Sequence, residues 1–483
     1  MTNNETPEKP RPVRSKPSTS NGASRKWKVL QVLILLLAIV IACFAIFRLI
    51  LRSRLQARLA AIRSAGYPAT CIELDNWYAI PESVENAADT VTQAFSHYHK
   101  LEETEESELM PVVGKAELPA RTEPLAQETK DLIARHLADN QEALELLHKG
   151  AVIEHSRYPI DLSKGFEALM PYLADFRTGA RLLKLEAALH ADNDKPQLAA
   201  DSITAILGLA RSLSKEPVLI SQLVRLACQG LAVSALEHVI NKTDFTDEQL
   251  IKLSEILADG EDLSAMTRTF AGERCAGVSI FKMPAAKIIQ VGGSGSSRLA
   301  VPAIALYKFV GLADMDAIMY LDFMNDYMKA IQLPLHERQN AANAVDDSLE
   351  TTNKIHIILH MIMPALSRVT TIDIRTIAQL RTAQTGLAIE RYRLATGSLP
   401  ETLAELLPTY LDAVPKDPFD GKDLRYKKLQ AGFVVYSIGE DGNDDGGEEK
   451  QPKKSWSDAP ADITFVVLRK STGRLPAESL GQR

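Results

Sequence analysis

Residues 245–260 read "FTDEQLIKLSEILADG", and this stretch decides the kind of fold to expect. Thr246 followed three residues later by Gln249 is a capping box, in which the two residues satisfy each other's free backbone N–H groups at the start of a helix. Leu250, Leu253, Ile256 and Leu257 then recur at three- and four-residue spacing, which puts them on one helical face. Gly260 is expected to stop the helix in the left-handed conformation. The same spacing dominates from about residue 123 to 396. Just upstream, "KPQLAADSITAILGLARSLSKEPVLISQLVRLACQGLAVSALEHVI" (195–240) reads as two apolar-striped helices split by "SKEP", with Pro217 in the first turn of the second. Antiparallel pairs of this kind build bundles and solenoids. No fixed period near ~34 or ~40 residues runs through the region, which speaks against a regular repeat array.

Working outward, residues 29–47, "VLQVLILLLAIVIACFAIF", contain one polar side chain, Gln31, and no charge. Such a helix approaches the ~30 Å hydrocarbon thickness of a bilayer. It exceeds the usual apolar core of a signal peptide and runs straight into Arg48, Arg52 and Arg54, so it reads as an uncleaved anchor. Residues 1–28 form a Pro/Ser/Asn-rich basic tail expected to be disordered, with Trp27 at the headgroup level. "LQARLAAIRSAG" (55–66) continues the helix beyond the membrane. The expected organisation is a tail at 1–28, a transmembrane helix at 29–50 and a juxtamembrane helix with linker at 51–122. An α-helical, bundle- or solenoid-like ectodomain follows at 123–366, then a small α+β module with antiparallel strands at 367–470 and a tail at 471–483. The fold class is thus mainly α with a single N-terminal span.

Charge argues about partners. The net charge of −7 is uneven: residues 1–54 carry +8, and the remainder −15. A nucleic-acid binder places its positive charge on the folded part, and this chain does the reverse. The four cysteines, Cys43, Cys71, Cys228 and Cys275, are scattered and form no CxxC pair, so buried thiols are expected.

Short motifs that could carry chemistry are weak. "HIILH" puts His356 and His360 on one helical face, but Ile357 stands where a metalloprotease helix needs Glu. Ser212 and Lys215 match an S-x-x-K spacing without the companion motifs of penicillin-binding enzymes. "GGSGSS" (292–297) lacks the Lys of a phosphate loop and reads as a flexible connection. Glu273 and Arg274 in "FAGERC" read as a helical ion pair.

The strongest signal lies near the C-terminus. "SIGEDGNDDGG" (437–447) concentrates acidic side chains and glycines between "FVVYSI" and "ITFVVL", which read as strands. Asp441, Asn443, Asp445 and Gly446 fall on the first half of the calcium-loop pattern D-x-[DN]-x-[DN]-G, but the position of the closing Glu is Pro452, and strands flank the loop. From the residues alone, a calcium loop and a solvated acidic turn both remain open. The marks "RYRLATGSLP" (391–400), "PKDPFDG" (415–421), "YSIGEDG" (436–442) and "ADI" (461–463) together resemble the C-terminal module of the type II secretion major pseudopilins, over residues 378–467. The resemblance implies a calcium ion bound between strands by Asp441 and Asp462, with Ser437, Asp444 and Asp445 as further candidates. Two departures stand out: no Gly-Phe-Thr-x-x-Glu processing site precedes the apolar helix, and more than 300 residues separate that helix from the module. "AIRSAGYPATCIELDNWY" (61–78) and "ENAA" (85–88) are similar to single-pass bacterial envelope proteins.

These readings converge on a protein of the inner membrane, its bulk outside the cytoplasm, serving interaction or assembly with envelope proteins and stabilised by calcium in its tail. Two other readings stay open: an extracytoplasmic hydrolase with its site between helices, and a component related to the secretion pseudopilins.

Overall fold

The computed structural model describes residues 21–79, 83–101, 105–291, 300–363, 365–449 and 462–468. It divides into two units, residues 1–57 and 58–483. In the first, α1 (Asn21–Ser64) begins as the apolar helix the sequence announces, with Leu33, Leu35 and Val40 all more than half exposed. It has no polar face to turn to water.

The second unit opens with the end of α1, where Arg58 Nε donates to Asp322 Oδ1 at 2.8 Å. Short helices α2 (Cys71–Trp77), α3 (Ala87–Ser96) and α4 (Glu105–Leu109) lead into α5 (Gln127–Asp139) and α6 (Gln141–Ala151). The body then continues through α7 (Leu173–Asp192), α8 (Pro196–Ser212), α9 (Leu219–Ile240), α10 (Asp247–Asp259) and α11 (Ala265–Ile280). After them come α12 (Ala285–Val291), α13 (Ala300–Val310), α14 (Leu312–Ala330), α15 (Leu335–Glu350), α16 (Ile357–Ile362) and the long α17 (Leu366–Thr396). Strands β1 (Arg425–Leu429), β2 (Gly432–Ser437) and β3 (Ile463–Leu468) form one antiparallel sheet in the order β1-β2-β3.

α10 starts as expected: the reciprocal Thr246–Gln249 capping box forms, and Leu250, Leu253 and Leu257 are buried with Ile256 half-buried. Its end corrects the expectation. Gly260 is right-handed (φ −66°, ψ −23°), and the next turn, where Asp262 accepts the Ser264 N–H, carries the chain away. Pro217 also differs, lying two residues ahead of α9. Val218 is extended and caps that helix, while the Pro217 carbonyl presses against α11 at Gly272, where a Cβ would stand 1.7 Å from the oxygen.

α7, α8 and α9 pack side by side, and α9 also meets α11 and α17. α17 lies against α9, α10 and α15 and also against β2 and β3. One contiguous apolar core therefore runs from Ala88 through Leu250 and Leu387 to Phe433, Val435, Phe465 and Val467. The sheet's other face carries a small second cluster, Val434, Tyr436 and Val466, as the period-two alternation of a strand requires. α17 ends at Gly397 in the left-handed conformation (φ +76°), whose N–H bonds Arg393 O at 2.8 Å.

The outer edge of β3 is closed by side chains rather than by another strand. Glu237 Oε1 accepts the Val466 N–H at 2.7 Å, and Asn241 bonds both Val466 O and Leu468 N from the end of α9. An open strand edge is a template for pairing with other chains, and two residues one helical turn apart remove it here.

Leu250 is 1 % exposed. Leu250→Asp would bury a carboxylate without a partner and should cost about 3 kcal/mol or more in chemical unfolding. A variant that unfolds like the wild type would disprove the assignment of this face.

Candidate functional site

The residues expected to bind calcium cluster around the β2–β3 connection, of which residues 450–461 lie outside the described residues. Ser437 is buried at the end of β2, and its hydroxyl donates to Asp417 Oδ1 at 2.8 Å. Asp441 Oδ1 accepts the Asn443 N–H at 3.1 Å, and Asp444 Oδ1 accepts the Gly446 N–H at 3.0 Å, two local turns of the kind acidic side chains favour. Asp462, immediately before β3, accepts the Gly447 N–H at 2.7 Å and the Asp445 N–H at 3.4 Å. Burial raises the Asp462 carboxyl above the usual range, opposed by those two N–H groups, and the charges of Asp444 and Asp445 push it the same way as burial. Asp444 and Asp445 are therefore within electrostatic reach of Asp462, Asp441 and Asp444 each also close a local turn, and Ser437 is bonded to Asp417. Carboxylates are the chemistry calcium takes. Among the described residues, no three His, Cys, Asp or Glu side chains converge as a ready metal cage.

The organising centre of this loop is Asp417, from "PKDPFDG". It is fully buried and accepts from Ser437 Oγ, from the N–H groups of Phe419 and Ile438 at 2.9 and 3.0 Å, and from Arg425 at 2.5 Å. Arg425 also pairs with Asp420 at 2.5 Å and lies 3.7 Å from Asp444. One guanidinium thus neutralises part of the acidic cluster. Glu440 is held from α17 by Arg375 at 3.3 Å.

A cleft of about 1110 Å³ opens in the helical body between the ends of α6, α8 and α10, the start of α11 and the end of α2. Its floor is polar. Arg225, 2 % exposed on α9, donates to Gln222 Oε1 at 2.6 Å and Gln229 Oε1 at 3.3 Å, with Asp373 of α17 at 3.9 Å behind it. Gln222 bonds the carbonyls of Leu213 and Glu216, and Gln229 bonds that of Gly260. Burial pushes Asp373 up to about 6 against the opposing charges of Arg225 and Arg338. Arg268 ties the rim together, donating to Ser214 O at 3.0 Å and pairing with Asp262.

Behind the wall sits Glu216, fully buried and bonded by the hydroxyls of Tyr172 at 2.8 Å, Tyr78 at 3.3 Å and Ser221. Burial lifts its carboxyl above the usual range, and these three donors oppose the rise. Polar residues at 222, 225 and 229, on one face of the first half of a mostly apolar helix, were the sequence signal for this floor. Glu216, in a connecting turn, carried none.

The weak motifs resolve as structure. Ser212 and Lys215 both line the cleft, with the Ser212 hydroxyl 2.9 Å from the Tyr158 hydroxyl and bonded to Leu209 O. Glu273 and Arg274 form no ion pair with each other: Glu273 accepts the Leu219 N–H at the start of α9, and Arg274 lies over the Tyr67 ring and 3.5 Å from Pro68 O. Adjacent residues on a helix point about 100° apart, so each found its own partner. His356 and His360 do not share a helical face, because His356 precedes α16 as its cap, with Nδ1 2.7 Å from the buried Asp316. Cys71, Cys228 and Cys275 are buried and unbridged. "GGSGSS" lies outside the described residues. Comparison with known proteins finds no match to this chain among family models, curated proteins or solved structures.

A carboxyl raised by the fold costs stability as pH climbs from its unfolded value near ~4.3 through its folded one. Tyr172→Phe removes a donor to the charged form of Glu216 and raises it further. Its cost should grow with pH, from under about 1 kcal/mol near pH ~4 to about 1–2 kcal/mol near pH ~8. A cost independent of pH in unfolding titrations would show that Glu216 stays neutral across that range.

Proposed function

We propose that the protein is a single-pass membrane-anchored component of the bacterial envelope, with its bulk outside the cytoplasm, a helical body that serves interaction rather than catalysis, and a calcium-stabilised, pseudopilin-like tail. The observation that carries the anchor is α1, whose apolar window has no buried share at all. By length and composition α9 and the run Ile357–Thr396 would also suffice to cross a bilayer, but 56 % and 47 % of their windows are buried. They are apolar because they are core.

Interaction is favoured by the open cleft, whose mixed lining sets Trp77, Val152 and Ile256 beside the Arg225 and Gln229 floor. The raised carboxyls of Glu216 and Asp373 are held behind its wall by hydroxyls and by Arg225, which suits a structural task. The pseudopilin-like reading of the tail is supported by a long helix closed by Gly397, followed by an antiparallel sheet packed on that helix. Calcium on Asp444, Asp445 and Asp462 removes the repulsion among those three carboxylates.

Protease added to spheroplasts should degrade residues beyond Arg58. Full protection of a membrane-bound chain in intact spheroplasts would invert the orientation. For the tail, the full chain in detergent should unfold at higher temperature in calcium than in chelator, by up to about 2.7 kcal/mol at a hundredfold excess over Kd. Asp462→Asn should abolish most of that shift and Glu448→Ala little of it. Equal unfolding in calcium and chelator would leave Arg425 as the cation of this loop.

A further inference from the structure

We propose that the outward face of α13, with Ile355 and Ile357 beside it, rests in the headgroup region of the membrane as a second, monotopic contact. This rests on the reading of α1 as an anchor.

The face is built, not incidental. Ile304 and Tyr307 point inward and are buried. The Tyr307 hydroxyl lies 2.9 Å from Asp316 Oδ2 on α14 and 2.8 Å from Ile355 O, and it accepts the Ile357 N–H at 3.2 Å. Asp316 in turn binds His356 and the first N–H groups of α16. These bonds fix the rotation of α13 and join it to the 355–357 segment. Turned outward are Val301 (43 % exposed), Leu306 (61 %), Ile355 (48 %) and Ile357 (46 %), with Pro302 and Ala305 also exposed.

Three observations select lipid as the occupant. First, α14, the helix on which α13 sits, receives the end of α1 through the Arg58–Asp322 pair, which is bidentate at 2.8 and 3.2 Å. Only ten residues, 48–57, separate that arginine from the apolar run. They span about 15 Å as a helix and at most about 35 Å fully extended. Second, "AVPAIALYKFV" (300–310) and "NKIHIILHMIM" (353–363) contain no carboxylate, in a chain with 62 Asp and Glu. Their charged side chains are Lys354 and Lys308, the latter bonded to Met283 O, and both carry the sign that suits anionic headgroups. Third, an amphipathic helix lying in the interface needs only to bury one apolar face, which an eleven-residue helix already docked on a rigid body can do without crossing the membrane.

The test uses the full chain in vesicles of phosphatidylethanolamine and phosphatidylglycerol, with Cys43→Ala to remove the exposed native thiol. Three variants that each add one exposed cysteine, Leu37→Cys, Leu306→Cys and Lys252→Cys, carry an environment-sensitive dye, with Cys71, Cys228 and Cys275 left buried and helical content checked as unchanged. Lipids brominated near the top of the acyl chain should quench the dye at 306 by about twofold, since interfacial helices sit at the headgroup–acyl boundary. Deeply brominated lipids should quench 37 best, and neither should quench 252. Quenching at 37 with none at 306 overturns the inference and leaves the anchor standing. Shielding of 306 from aqueous iodide without quenching by bromine means that a second copy or another protein covers the face, which also overturns it. Loss of quenching at 37 overturns the anchor reading, and this inference with it.

Discussion

The ring of Phe465 lies on Gly386, where α17 has no side chain: a Cβ there would stand 2.5 Å from the ring. The rest of the second unit depends on that contact. It brings β3 close enough to α17 for Phe433, Val435 and Val467 to enter the same core as Leu250 and Leu387. It also delivers the outer edge of β3 to Glu237 and Asn241 at the end of α9. A larger residue at 386 would push the sheet outward and break apolar packing and edge capping together. α17 is thus the element through which the helical body and the sheet share one core, and its length of 31 residues follows from serving both.

Polar groups inside this core are held in chains. From Glu216 the bonds run through Gln222, Arg225 and Gln229 to Gly260, and Asp373 faces Arg225 from α17. A buried charge whose partner is removed costs far more than the pair contributes, so such chains constrain which helices can lie together. They position the turn after α8 and the turn after α10 around one cleft, with the early turns of α17 behind it.

What the sequence made legible was local. The helix at 247–259 could be read because the capping box and the leucine stripe act within a few residues. The apolar helix at 29–47 could be read from composition, and the strands beyond Leu424 from alternation. Where the expectations departed from the structure, a distant partner had decided. Gly260 stays right-handed with its carbonyl held by Gln229, Pro217 presses on Gly272 of α11, and Glu273 meets the start of α9 instead of Arg274. In the loop, the acidic residues were visible but their ranking was not. Asp417 looks in sequence like any surface acid, yet it is the residue that takes the Ser437 hydroxyl and Arg425, across 20 and 8 positions.

The central claim is that residues 29–47 hold an otherwise self-contained body in a bilayer. Alkaline carbonate washing of membranes from cells making the full chain measures this most directly, alongside a variant carrying Leu36→Lys and Ile39→Lys. An apolar helix of this length does not leave a bilayer when peripheral contacts are broken, whereas two central lysines cost it several kcal/mol. The full chain should stay in the washed pellet and the double variant should appear, folded, in the supernatant. Release of the unaltered chain by the wash would contradict the account.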